Sequence, residues 1–75
     1  MGPVFEVPFG IVNGFNTLFT LRAPYVPNTT VVFLNGQAKV ATYQDGWVEM
    51  GGKNLQLKIP PQTGDIIQVY YMIAG

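Results

Sequence analysis

The stretch "DIIQVYYMI", residues 65–73, is apolar on whichever side it is viewed from. Side chains on a strand point to opposite faces in turn. Ile67, Val69, Tyr71 and Ile73 therefore share one face, and Ile66, Gln68, Tyr70 and Met72 share the other. A central strand between two layers has two apolar faces. In a two-sheet sandwich, however, each sheet has a single inner face. A second apolar face on a short chain's closing strand therefore predicts a partner that covers it.

Working outward, the segments before it are also strand-like and short. "NLQLKI" (54–59) alternates, with Leu55, Leu57 and Ile59 expected inward and Gln56 and Lys58 outward; Pro60 and Pro61 stop it. "WVEM" (47–50) lies between two turn signals, Asp45-Gly46 and Gly51-Gly52. "TTVVFLNG" (29–36) ends in Asn35-Gly36, a dipeptide that tolerates positive φ and closes tight hairpins, with "QAKVATY" (37–43) as its partner. In residues 29–34 both faces are apolar again: Thr30, Val32 and Leu34 against Thr29, Val31 and Phe33. "NTLFTLR" (16–22) sets Phe19 and Leu21 against Thr20 and Arg22, and "VFEVPF" (4–9) sets Phe5, Val7 and Phe9 against Glu6. Pro8 has no ladder donor, which suits an edge strand or an extended N-terminal arm over residues 1–8. No window holds a 3.6-residue apolar period without Gly or Pro interrupting it. The expected fold is all-β: a single small antiparallel β-sandwich or partly open barrel of six to seven short strands, one domain over residues 1–75.

Composition narrows the function. A domain of 75 residues buries only about 60 % of its chain surface, and such domains are commonly supported by disulfides, a metal or oligomerisation. The chain has no Cys and no His, which leaves association as the remedy. Four basic and four acidic residues give a net charge of zero, so there is no basic footprint for nucleic acid and no polybasic membrane patch. Charged residues make up 11 %, less than half of the roughly 25 % of an ordinary soluble domain, and near-neutral apolar surfaces associate. The N-terminus "MGPVFEVPFG" lacks the basic region and apolar core of a secretory signal, so synthesis in the cytoplasm is expected.

Catalysis has few candidates. Asp45 and Asp65 sit in turn sequences and Glu6 and Glu49 on expected polar faces, while the absence of Ser and His removes the usual nucleophile and base. No Gly pattern cradles a phosphate. "NGFN" (13–16) lacks the alternating acidic spacing of a calcium loop, and Pro24 with Pro27 marks a bend. No enzyme activity, cofactor or metal is expected. The aromatics divide into two sets. Phe5, Phe19 and Phe33 are expected to fill the core, whereas Tyr and Trp, with an apolar ring and a polar tip, suit subunit contacts. Candidate interface residues are Ile66, Gln68, Tyr70, Met72, Tyr25 and Val31. Tyr43 and Trp47 form an alternative pair for stacking a sugar.

One further pattern carries a family signal. "GIVNGFNTLFTLRAPYVPNTTVVFLNGQ" (10–37) places an Asn-Gly turn before "NTLFTL", a proline-marked bend and then "VVFLNG". "IPPQTGDIIQVYY" (59–71) adds a Pro-containing turn and a Gly-Asp leading into a strand that ends in Tyr. Together these resemble a recurrent small β-sandwich domain of tailed-bacteriophage virion proteins. "GWVEM" departs from that domain's usual middle strand. The resemblance implies a non-enzymatic building block of the virion: capsid decoration (cement), head fibre or tail fibre. A module beginning at its own Met1 fits a decoration protein on the coat shell best. The resemblance also implies self-association, with a trimer favoured, and contact with the major capsid protein or other virion subunits.

Overall fold

The computed structural model describes residues 3–41, 44 and 46–74. Among these residues seven short strands form two antiparallel sheets: β1 (Pro3–Glu6), β2 (Leu18–Thr20), β3 (Val31–Leu34), β4 (Gln37–Ala38), β5 (Trp47–Gly51), β6 (Asn54–Leu57) and β7 (Ile67–Met72). The first sheet has the order β1-β7-β3-β4 and the second β2-β6-β5. Neither sheet closes on itself, so the two layers face each other with open edges. The chain's closing strand is thus a central strand, hydrogen-bonded to β1 on one side and β3 on the other.

Local chemistry explains the connections. Asn35 and Gly36 have φ of 51° and 85°, the paired positive values a two-residue hairpin between β3 and β4 demands. Between β5 and β6, Gly51 and Gly52 have φ of 97° and 60°: Gly51 ends β5 beside a bulge after Glu49, and Gly52 opens the turn to Asn54. Leaving β1, the chain crosses to the second sheet, where Phe9 and Thr20 exchange backbone hydrogen bonds of 2.8 and 2.9 Å. Gly10 is needed in that crossing because a Cβ there would stand 2.4 Å from the Phe19 ring. The Pro24–Pro27 bend returns the chain to the first sheet through hydrogen bonds between Val26 N–H and Met72 C=O, and between Ala74 N–H and Pro24 C=O.

Both sheets feed one core. Val32, Ile67, Val69 and Tyr71 come from the first, and Phe19, Trp47, Leu55 and Leu57 from the second, with Leu21 and Tyr25 from the crossing between them. Thus Ile67, Val69 and Tyr71 occupy the inner face, as alternation in residues 65–73 predicts, and Phe19, Leu21, Leu55 and Leu57 also point inward. Elsewhere the expected faces are corrected. In β1 it is Val4 and Glu6 that turn towards the interior, and Phe5 stands outside, 52 % exposed. Phe33 is outside as well, so Phe19 alone of the three phenylalanines fills the core. Ile59, beyond the end of β6, is 55 % exposed. The pairing of β4 stops at Ala38, shorter than residues 37–43 allow, although Lys39 N–H still reaches Val32 C=O. Thr42, Tyr43 and Asp45 lie outside the described residues, as do Met1 and Gly2 of the N-terminal arm.

Candidate functional site

Residues directly opposite in an antiparallel pair share a face. Opposite Tyr70 stand Phe5 on β1 and Val31 on β3; opposite Gln68 stands Phe33, and opposite Phe33 stands Ala38. Pro3 faces Met72 at the far end, and alternation continues the surface to Ile66. The outer face of the four-stranded sheet is therefore Pro3, Phe5, Val31, Phe33, Ala38, Ile66, Gln68, Tyr70 and Met72. It carries none of the chain's eight Asp, Glu, Lys and Arg side chains. Tyr70 is 40 % exposed at its centre, and Phe5 and Ile66 are more exposed still. Large apolar side chains gathered on one water-facing surface make this face the candidate contact surface.

The surface is ordered before anything binds. Phe5 and Phe33, on strands separated by β7, lean across it and meet edge to face, with ring centroids 5.4 Å apart and planes at 83°. Such a pair contributes about 0.5–1.5 kcal/mol beyond its buried area. Rings already held in place lose little side-chain entropy on docking. Below the sheet, Tyr71 anchors the same strand. Its hydroxyl donates to Glu6 Oε1 at 2.6 Å, and Glu6 Oε2 accepts from Arg22 N–H at 2.9 Å. That arrangement explains why Glu6 turns inward: its carboxylate ties β1, β7 and the crossing after β2 together at the core's rim. Burial, and then the hydrogen bond to Glu6, push the Tyr71 phenol above its ordinary value.

Ile66, Gln68, Tyr70, Met72 and Val31 are thus brought together on one face. Tyr25 is not among them. Its ring lies in the core, and its hydroxyl donates to Asn54 C=O at 2.8 Å and accepts from Gly51 N–H at 2.9 Å, locking the β5–β6 turn. Phe5 and Phe33 belong to the surface and sequence patterning missed them, because a Phe is read as core unless its neighbours' register is known.

Trp47 is also corrected as a stacking residue. Its indole is 5 % exposed and packed in the core cluster, and Nε1–H donates to Thr30 Oγ1 at 2.9 Å. Thr30 Oγ1 in turn donates to Glu49 Oε2, while Glu49 Oε1 accepts from Asn28 N–H at 2.8 Å. Glu49 therefore clips the second sheet to the segment before β3. A cavity of about 470 Å³ opens beside this network, lined by Asn28, Thr30, Ala41, Trp47, Val48, Glu49 and Lys58. Tyr43, the other half of the sugar-stacking pair, lies outside the described residues.

The third described carboxylate, Asp65, accepts from Asn35 Nδ2 at 3.1 Å and from Gln62 N–H at 2.8 Å. The Asn35 amide first, and the Gln62 backbone second, hold it below its ordinary value. Among the described residues no three acidic, Cys or His side chains gather where a metal ion could be held, and no helix is long and apolar enough to cross a membrane.

The outer face of the second sheet differs. Leu18, Val48 and Met50 are interspersed there with Thr20, Asn54 and Gln56, and Thr20 Oγ1 bonds Asn54 Oδ1 at 3.1 Å. The outer face of the four-stranded sheet is the more continuous apolar surface, with Gln68 as its one amide. The chain matches no family model, no curated protein and no solved structure.

Proposed function

We propose that this protein is a non-enzymatic structural subunit of a bacteriophage virion, a β-sandwich decoration (cement) protein that packs as an oligomer on the coat shell. The observation that carries the proposal is the uncharged, aromatic outer face of the four-stranded sheet, centred on Tyr70. An uncharged face rich in aromatic side chains has the composition of a protein contact surface. The low charge of the whole chain and the resemblance of residues 10–37 and 59–71 to virion domains support the same reading. The neighbours are other copies, with a trimer as the favoured state, and the major capsid protein or other virion subunits. Synthesis is in the host cytoplasm and the working location is the particle.

Tyr70→Glu tests this directly. The side chain points out of the sheet, so the variant keeps its fold by far-ultraviolet circular dichroism. A charge at the centre of the contact removes self-association and binding to undecorated shells in the micromolar range. A Tyr70→Glu protein that assembles as well as wild type would contradict the proposal.

A second reading, a receptor- or carbohydrate-binding module of a tail or fibre, draws on the cavity of about 470 Å³ beside Asn28, Glu49 and Lys58. It predicts a change in Trp47 fluorescence on adding host surface glycans; no change across a broad panel counts against it.

A further inference from the structure

The loop between β1 and β2 holds the most exposed aromatic among the described residues, Phe15, at 86 %. This loop is fastened at many points. Asn13 Oδ1 accepts from the N–H groups of Phe15 and Asn16, both at 2.9 Å. Asn16 Nδ2 donates to Ile11 C=O at 3.1 Å and Leu18 C=O at 2.9 Å, and Gly14 N–H donates to Pro61 C=O at 2.8 Å. Phe15 is thus a ring displayed in water on a stiff support, the arrangement of a preorganised anchor.

The wall to which Gly14 is fastened belongs to an apolar pocket of about 240 Å³ at the open end between the sheets. Leu34 stands on one side with Lys39; Leu57, Ile59, Pro60 and Pro61 form the other, and Gln62 and Asp65 complete a lining that is apolar in its larger part. A cavity of about 150 Å³ walled by aliphatic and aromatic side chains admits a benzene ring. The pocket is therefore large enough for a phenyl side chain, yet the chain's own Phe15 is outside it.

We infer that the pocket receives Phe15 of a second copy of this chain. Continuity identifies that occupant: Asp65, in the pocket lining, immediately precedes Ile66 of the outer face, so a copy docked on that face comes beside the pocket mouth. The inference rests on the self-association proposed above, because one ring in one pocket is too little to hold two copies alone. It adds a second contact that fixes how neighbouring copies are turned relative to each other.

A double-mutant cycle on the self-association constant, measured by sedimentation, tests it. Phe15→Ala removes the anchor and Ile59→Trp fills the pocket. Burial of one phenylalanine predicts that each weakens association about 10- to 100-fold. The double variant should be no weaker than the single ones, since either change already breaks the contact. Phe15 contributes little to the folded monomer, so Phe15→Ala keeps the wild-type melting temperature and decides the matter even if Ile59→Trp misfolds. Wild-type association by Phe15→Ala, or losses that multiply in the double variant, would overturn the inference. If Tyr70→Glu fails to assemble while Phe15→Ala assembles normally, this contact alone falls. A wild-type chain that stays monomeric at every concentration overturns both.

Discussion

Two side chains at the rim of the core hold polar groups whose loss is measurable. Thr30, buried, accepts from the Trp47 indole and donates to Glu49, so its hydroxyl joins the segment before β3 to two side chains of β5. Thr30→Val keeps the shape and removes the hydroxyl, leaving the indole N–H without its acceptor. An unpaired buried donor costs about 1–3 kcal/mol, and urea unfolding should show a loss in that range. Tyr71 gives a pH signature. Its phenol is pushed up by burial and by Glu6, so the folded state holds the proton more tightly than the unfolded chain. The stability from this group is complete below the ordinary tyrosine value, near pH 10, and is lost as pH rises through the folded value. Tyr71→Phe should therefore unfold more easily at neutral pH, by about 1–2 kcal/mol, yet lose less stability than wild type above pH 10. Parallel alkaline arms for the two proteins would refute this account of Tyr71.

At the scale of elements, the junction of the β3–β4 turn with β7 concentrates the constraints. Asn35 supplies positive φ to the hairpin, donates through its amide to Asp65, and accepts from Ile66 N–H at 2.9 Å, where β7 begins. Asn35→Ala should lower stability by about 1–2 kcal/mol at pH 7. It should also flatten the acid arm. The depressed Asp65 carboxyl stabilises the fold above its ordinary value and loses that effect as pH falls through the folded value. Without the Asn35 amide, the largest cause of the depression, unfolding midpoints at pH 3 and pH 7 should lie closer together than in wild type. The turn itself was legible in the sequence because Asn-Gly is a local signal, and the inner faces of β2, β6 and β7 followed from alternation, whereas Phe33 of β3 was expected inside and stands outside. In β1 alternation misled, since Glu6 reads as solvent-facing until the Tyr71 hydroxyl, 65 positions away, is known to meet it. Trp47 and Tyr25 misled in the same manner, each having a polar atom satisfied inside by a partner distant in the chain. Strand order was not legible either: β7 sits between β1 and β3 through non-local pairing, which no local pattern encodes.

The whole molecule has the dimensions of a monomer that is only just large enough. Its radius of gyration, 11.2 Å, matches the roughly 11 Å of a compact domain of this length. It exposes 4626 Å² of surface, close to the ~4500 Å² of a folded chain of its mass, and so buries only about 60 % of what the unfolded chain exposes. A stable protein contact takes about 800 Å² from each partner, roughly a sixth of this surface. The uncharged face across β1, β7, β3 and β4 is where such burial can be added without desolvating a charge. Legibility at this scale was partial: residues 66–72 announced the face, but Phe5 and Phe33, which complete it, became visible only through the register. The most direct measurement is the native mass of the purified protein by light scattering across a concentration series. Association through the outer face predicts a stable oligomer, a trimer of about three times 8.2 kDa, that the Tyr70→Glu variant fails to form. A wild-type protein that remains at the monomer mass throughout, and does not bind undecorated shells, would contradict it.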